Sequence, residues 1–420
     1  MDSFVVEGGV RLSGEVLAGG SKNAALPILF ATVLCPGAVT VRRVPRLKDI
    51  DTTLALLRGI GVRAEYAASG AVEVDASKLS SCEAPYDLVR TMRASVLMLG
   101  PLLAREGRAK VSLPGGCAIG TRPVDLHLAG FEKMGATFRV EGGYIHGECA
   151  AGLSGAQISL RFPSVGATEN LMMAASIAKG TTEILNAARE PEIVDLAKAL
   201  SMMGAEISGA GTEVIRIEGV AGLKPAAVEV MFDRIEAGTL LLAGPMTGGR
   251  VRVKLATASD LAVYLELLGQ SGVSIERGDD WIEAQAGTTL KPISFSTAPY
   301  PGYPTDLQAQ MMAHLAVVPG ESEIEETIFE NRFMHVPELN RLGAEIRVDG
   351  ACARIKGKPG CYSGATVMAT DLRASASLVL AGLAARGTTT IRRIYHLDRG
   401  YERLEEKLAL LGARVTRKRE

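Results

Sequence analysis

The sequence lacks any Cys-x-x-Cys pair, although it carries six cysteines at 35, 82, 117, 149, 352 and 361. Scattered thiols without that spacing exclude the usual zinc cluster and point to a reducing, cytoplasmic setting. The five histidines (127, 146, 314, 335, 396) also fall at no metal-ligand spacing. Neither a P-loop nor a Gly-x-Gly-x-x-Gly follows a strand-like segment, so a nucleotide cofactor is not indicated. An excess of either charge is missing too. Lys and Arg total 46 against 47 Asp and Glu, a formal net charge of −1. Neither nucleic acid nor an anionic membrane is expected as the main partner. The local basic clusters, Arg42, Arg43, Arg46 and Lys48 and then Arg414 to Arg419, read as solvated surface. Long apolar runs are absent: the stretch 94–104 is short and broken by Gly100 and Pro101, so it cannot span a bilayer. The first residues show no basic region followed by an apolar run, so no signal peptide is expected.

What the 420 residues do contain is a repeat. A short apolar, helix-like stretch ends in Gly-Val or Gly-Ala six times, at Gly61, Gly135, Gly204, Gly272, Gly343 and Gly412, about seventy residues apart. Glycine sits where a helix C-terminus needs a left-handed residue. A β-branched, alternating segment follows, as in Glu206-Ile-Ser and Glu345-Ile-Arg-Val. Each unit also holds an earlier helix, apolar on nearly all faces, over 24–35, 94–105, 170–179, 237–245, 307–318 and 374–386. A helix apolar all round is buried all round. The unit therefore reads strand–helix–strand–helix–strand–strand, with helices inside and sheets outside. Three units and three units make two similar α/β domains with a boundary near residue 230. The alternating segment 4–16 is expected to complete the second domain, so that the chain crosses between domains twice.

The buried helices begin at polar stretches: Gly-Gly-Ser-Lys22-Asn23, Thr91-Met-Arg93, Ser164-Val-Gly-Ala-Thr168, Asp233-Arg234-Ile-Glu236, Pro304-Thr-Asp306 and Thr370-Asp371-Leu-Arg373. Thr168, Thr305 and Thr370 read as ordinary N-caps, each stabilising by about 1 kcal/mol. Lys22, Arg93 and Arg373 do not fit that reading, because cations are unfavourable at the positive end of a helix dipole. Cations beside free backbone N–H groups make an anion site. If the repeats point their helices one way, these groups converge on a cleft rich in Lys and Arg that also contains Asp306 and Asp371. Arg399, in His396-Leu-Asp398-Arg399-Gly400-Tyr-Glu, reads by itself as an ion-pair partner of Asp398 or Glu402. The stretch Ser112 to Asp125 is broken by Pro114, Gly115, Gly116, Gly120 and Pro123, and it carries Cys117 and Arg122. An exposed thiol near a cation is the setting of a reactive cysteine; a glycine-rich turn with a bystander thiol is the alternative.

These stretches resemble the motifs of the enolpyruvyl transferases, in particular those acting on UDP-N-acetylglucosamine, from the N-terminus to the last helix. They are Gly-Gly-Ser-Lys22-Asn23-Ala-Ala-Leu-Pro, Thr-Met-Arg93-Ala-Ser, Leu-Pro-Gly-Gly-Cys117-Ala-Ile-Gly-Thr-Arg122-Pro-Val-Asp-Leu, Ser-Val-Gly-Ala-Thr168-Glu-Asn, Ala-Arg-Glu-Pro-Glu-Ile-Val, Tyr-Pro-Thr-Asp306-Leu-Gln-Ala-Gln, Phe-Glu-Asn-Arg-Phe-Met-His, Asp371-Leu-Arg-Ala-Ser and Asp-Arg399-Gly-Tyr-Glu-Arg. The resemblance implies two inside-out α/β barrel-like domains from a sixfold repeat, residues 22–231 and residues 1–21 with 232–420, and an active site in the cleft between them. It implies transfer of the enolpyruvyl group of phosphoenolpyruvate to the 3-hydroxyl of UDP-N-acetylglucosamine with loss of phosphate, the first committed step of peptidoglycan precursor synthesis. No metal or organic cofactor is implied, and the chain is expected as a monomer or weak homo-oligomer.

By the same resemblance, Cys117 is the general acid and adduct-forming thiol, and Asp306 takes the sugar hydroxyl proton. Lys22, Asn23, Arg122 and Arg399 bind phosphoenolpyruvate. Asn23, Arg93, Arg122, Pro123, Val124, Asp125, Leu126, Phe162, Pro163, Ser164, Val165, Asp306 and Ile328 contact the UDP-sugar. Lys22, Asp371 and Arg399 also count as catalytic by the resemblance, Asp371 and Arg399 assisting turnover and product release. A flexible Cys117 loop suits a lid that excludes water. Phe162 departs from the pattern, since some members carry a lysine there beside the uridine; Phe162 stacks on the base or simply packs. A cysteine at 117 implies alkylation by fosfomycin. The sister transferase acting on shikimate 3-phosphate shares fold and donor, but the Cys117 loop and the Lys22-Asn23 pair point away from it. A catalytically silent repeat protein that binds sugar nucleotides would keep its function in Cys117→Ser and Asp306→Ala.

Overall fold

The computed structural model describes residues 2–89, 92–113 and 124–419. Cys117, Arg122 and Pro123, and with them the Cys117 loop, lie outside the described residues.

The repeat is visible in the backbone. All six repeat glycines take φ between 93° and 109°, a conformation that a side chain would strain. Each turns the end of an outer helix into a strand. The described strands form six four-stranded sheets. In one, Ala38–Arg42 runs antiparallel to Val72–Asp75, which runs antiparallel to Arg63–Tyr66, while Ala227–Glu229 adds a parallel edge. Val39 and Val41 of the central strand are buried while Ala38 and Arg42 are exposed, the alternation of a sheet with one wet face.

Six buried helices carry the core: α1 (Lys22–Ala31), α2 (Leu99–Glu106), α3 (Val165–Ala175), α4 (Arg234–Met246), α5 (Gln308–Leu315) and α6 (Leu372–Ala384). Every residue of α4 is buried. Short 3₁₀ segments, Arg93–Met98 and Thr305–Leu307, lead into α2 and α5. This is the inside-out α/β arrangement expected from all-round apolar helices. The helix bounds differ from expectation at the polar ends. The helix expected at 170–179 begins at Val165, because Thr168, Glu169 and Asn170 are all buried and belong to it.

Contacts divide the chain into two compact units, residues 2–19 with 232–419 and residues 20–113 with 124–231. In the first, α4, α5 and α6 pack on one another; in the second, α1 and α3 pack with α2 and its leading turn. The N-terminal strand Ser3–Glu7 lies between Thr388–Arg392 and Arg414–Lys418, antiparallel to both. Ser13–Leu17 then pairs parallel with Arg250–Lys254. Among the described residues no helix is long and apolar enough to cross a membrane.

Candidate active site

The candidate residues gather at the N-terminal ends of the buried helices, in a separate cluster in each unit. In the unit of residues 20–231, Ser21 caps α1 by accepting from the Ala24 N–H, and Lys22 is the first residue of the helix. A cation is unfavourable there, and Lys22 is compensated by buried Asp49, 3.3 Å from its Nζ. Asn23 follows, half-buried. Arg93 opens the 3₁₀ turn into α2 and is half-buried. Ser164 caps α3 by accepting from the Ala167 N–H, and Val165 is the helix's first residue.

Val124 and Asp125 start the outer helix Asp125–Lys133, in which Leu126 is buried. Asp125 pairs with Arg161 at 2.7 Å, and the Arg161 guanidinium lies 5.7 Å from the Phe162 ring centroid. Phe162 itself is 46% exposed, next to half-buried Pro163. Arg161, one residue before Phe162, carries a positive charge that is paired with Asp125.

In the other unit Asp306 sits in the turn before α5. Its Oδ1 accepts from Arg332 at 2.6 Å and its Oδ2 from Arg373 at 3.2 Å. Both arginines are nearly sealed, at 5% and 3% side-chain exposure, against 28% for the aspartate. Burial opposes the charge on Arg373, but Asp306 and other nearby acidic groups outweigh it and raise its pKa. Both oxygens of the carboxylate are thus oriented by charge-assisted hydrogen bonds.

Buried Glu326 braces the same turn. It accepts from the Thr305 and Thr297 hydroxyls at 2.9 and 3.0 Å and from the Ile328 N–H at 2.9 Å. Asp371 caps α6, its Oδ1 accepting from the Arg373 and Ala374 N–H groups. Near it lies fully buried His335, whose pKa falls to about 4, chiefly through burial and against the pull of Asp371. Arg399 ends the 3₁₀ turn Ile394–Arg399, and Asp398 is bound through both oxygens by Arg417, at 2.7 and 3.0 Å.

Several cap expectations change. Thr168 lies inside α3, and its hydroxyl accepts from the Ala188 N–H at 3.1 Å. The Thr305 hydroxyl donates to Glu326. The caps are Ser164 for α3 and Asp371 for α6, because the side chain at the last extended residue reaches the first-turn N–H groups.

Sequence reasoning assigned no role to Asp49, Arg161, Glu326 or Arg332. Arg332 lies within the Phe-Glu-Asn-Arg-Phe-Met-His stretch, which was the available signal for it. The other three carried none, since each acts through a partner distant in sequence.

Comparison with known proteins accords with this arrangement. The EPSP synthase (3-phosphoshikimate 1-carboxyvinyltransferase) family matches residues 6–408. A UDP-N-acetylglucosamine 1-carboxyvinyltransferase from Trichlorobacter lovleyi is 54% identical over 417 residues, 99% of each chain. The crystal structure of the enolpyruvyl transferase NikO from Streptomyces tendae superimposes with a TM-score of 0.89 at 29% identity, over 99% of both chains. An EPSP synthase from Acinetobacter baumannii shares the fold at a TM-score of 0.79 and 18% identity, over the full length of both. With its sixfold repeat, its helix-start clusters of Lys22, Asp306 and Asp371, and these full-length matches, the chain belongs to the enolpyruvyl transferase family.

Proposed function

We propose that the chain transfers the enolpyruvyl group of phosphoenolpyruvate to the 3-hydroxyl of UDP-N-acetylglucosamine, releasing phosphate. The observation that carries this reading is the 54% identity, over 99% of both chains, to a protein named for that activity. The reaction supplies a peptidoglycan precursor and belongs in the bacterial cytoplasm.

The chemistry requires the residue types that the two units present. The sugar hydroxyl adds to C2 of phosphoenolpyruvate while its methylene C3 takes a proton. Phosphate then leaves C2, C3 gives a proton back, and the enol ether remains. Asp306 is the base for the hydroxyl, its two carboxylate oxygens oriented by Arg332 and Arg373. Cys117 supplies the proton at C3 and is the thiol that fosfomycin alkylates. Lys22, Asn23, Arg122 and Arg399 hold the donor's phosphate and carboxylate. The helix starts at Asp125 and Ser164, with Asn23, Arg93, Arg122 to Leu126, Phe162, Pro163, Val165 and Ile328, hold the UDP-sugar. Asp371 assists turnover.

Phosphate release from phosphoenolpyruvate tests the reading, with UDP-N-acetylglucosamine or shikimate 3-phosphate as acceptor. Release only with the UDP-sugar, lost in Asp306→Asn and stopped by fosfomycin, is expected. Release with shikimate 3-phosphate moves the chain to the sister activity, and release with neither overturns both.

A further inference from the structure

Among the described residues four tyrosines are fully buried, Tyr264, Tyr303, Tyr362 and Tyr401, all in the unit that holds Asp306. Three of them do the same ordinary job. Tyr264 donates to the Gly238 carbonyl at 2.7 Å, Tyr303 to the Leu307 carbonyl at 3.0 Å and Tyr362 to the Ala313 carbonyl at 2.9 Å. Each satisfies a backbone oxygen, the usual partner of a buried hydroxyl. The hydroxyl of Tyr401 bonds side chains of α4 and α5 instead. It lies 3.0 Å from Thr239 Oγ1 and 3.1 Å from Gln310 Nε2.

The Thr239 proton goes to the Ile235 carbonyl at 2.8 Å, so Tyr401 donates to Thr239 and accepts from Gln310. The other neighbours of Gln310 fix the orientation of its amide. Nε2 also lies 3.1 Å from the Asp306 carbonyl and 3.1 Å from Thr239 Oγ1, neither of which has a proton to give. Gln310 therefore ties the main chain of Asp306 to the Tyr401 hydroxyl. The same tyrosine acts on the Asp306 carboxylate through Arg373. That guanidinium stands 5.5 Å from the Tyr401 ring centroid, within cation–π range, while its Nε donates to Asp306 Oδ2 at 3.2 Å. Burial opposes the Arg373 charge, and Asp306 and then Tyr401 outweigh it. Burial also raises the Tyr401 pKa, so the ring stays a neutral phenol, able both to donate and to accept. Thr239, Gln310, Arg373 and Tyr401 are all at most 3% exposed. Gly238 lets α4 come close enough to serve the cluster, since a Cβ there would stand 2.8 Å from Leu307 Cδ1.

We propose that Tyr401 is the positioning residue of the acceptor base: with Gln310 and Thr239 it fixes the Arg373 guanidinium and the backbone of Asp306 together, and so aims the carboxylate at the sugar hydroxyl. This rests on the enolpyruvyl-transfer reading given above and adds to it three uncharged, buried side chains that act through Asp306. Other residues hold the phosphoenolpyruvate anion and the UDP group, so the network governs the chemical step rather than binding.

Steady-state phosphate release by the intact enzyme, together with calorimetric titration of UDP-N-acetylglucosamine, tests the assignment. A reacting group misplaced by about 1 Å costs on the order of a hundredfold in rate. Tyr401→Phe keeps the ring beside Arg373 and loses only the hydroxyl. It is expected to lower kcat by about ten- to a hundredfold and to leave the KM and the affinity for the UDP-sugar within about threefold. Thr239→Val removes the acceptor at nearly constant shape and should behave like Tyr401→Phe. Thr239→Ser keeps the acceptor and should restore kcat to near the wild-type value. Since the two groups act as one unit, Tyr401→Phe combined with Thr239→Val should lose little beyond either alone. A purely structural role predicts lowered unfolding midpoints with kcat unchanged per folded enzyme, and that result overturns the proposal. Equal losses in Thr239→Ser and Thr239→Val overturn it too, and this pair carries the comparison if Tyr401→Phe does not fold. A wild type that uses the UDP-sugar alongside variants that turn over equally fast overturns the role of Tyr401 alone. A wild type that releases no phosphate with the UDP-sugar overturns the functional reading as well.

Discussion

Asp306 shows how a reactive side chain is positioned by groups far from it in sequence. Its two cationic partners come from the segment after Ile328 and from α6. Removing one member of a buried ion pair costs about 3–5 kcal/mol, because the orphaned charge stays in a poor solvent. Asp306 is partly exposed, which discounts the value to roughly 2–3 kcal/mol. Asp306→Ala is accordingly expected to lower the unfolding midpoint by about 5–10 °C as well as to abolish phosphate release. Adding Arg373→Met removes one orphan and should recover part of the midpoint, with no recovery of activity. Differential scanning calorimetry reads both, and an unchanged midpoint in Asp306→Ala shows that the clamp carries no stability. At this scale the sequence exposed the charges at helix starts, Lys22, Asp306 and Asp371, because they violate the dipole preference or recur at repeat positions. It hid Asp49, Glu326 and Gln310. Their roles depend on a partner 27, 21 and 91 positions away, respectively, and no local pattern encodes such pairings.

Elements were legible in their apolar middles and illegible at their polar ends. The N-terminal half of α3 holds Thr168 and Glu169, which lie outside the helix expected at 170–179; both are buried, and the Thr168 hydroxyl satisfies the Ala188 N–H. The same ambiguity attaches to Asp371, which is both the cap of α6 and a candidate for turnover. A cap contributes about 1 kcal/mol and is served almost equally by Asp, Asn or Ser. Asp371→Asn should therefore unfold within about 0.5 kcal/mol of wild type while phosphate release slows by more than tenfold. Asp371→Ala should lose both stability and rate. Full activity in the stable Asn variant assigns Asp371 to the cap alone. His335 beside it is neutral above about pH 4, so the cap meets no imidazolium across the working range.

At the scale of the whole molecule, the six-part period was legible because six glycines occupy a conformation that other residues avoid. The closing of the sixth sheet by Ser3–Glu7 was legible because the final repeat stops one strand short. How stability depends on pH was not legible, since it rests on burial. His127, His314 and His335 have pKa values lowered to about 4, mainly by burial. The unfolded chain protonates them near 6.5. Their contribution is complete above that value and is lost as the pH falls towards 4, by on the order of 1.4 kcal/mol per histidine per pH unit in that window.

Buried acids work in the opposite sense. Burial raises Asp195 to about 6. Burial, with Glu192 and Glu190 nearby, holds Glu169 well above the carboxylate range. An acid whose folded pKa is raised favours the fold below its unfolded value near 4.5, and that advantage is lost as the pH rises through the folded one. Between about pH 4.5 and 6.5 the two sets oppose each other, so the stability curve of the wild type should be shallow there. Glu169→Gln replaces the buried carboxyl with a neutral amide of similar shape. Its stability relative to wild type should be smallest near pH 4.5 and grow as the pH rises towards the raised folded value of Glu169. Urea unfolding at half-unit pH steps measures the difference, and a gap that stays constant from pH 4.5 to 8 shows that Glu169 titrates alike in the folded and unfolded chain.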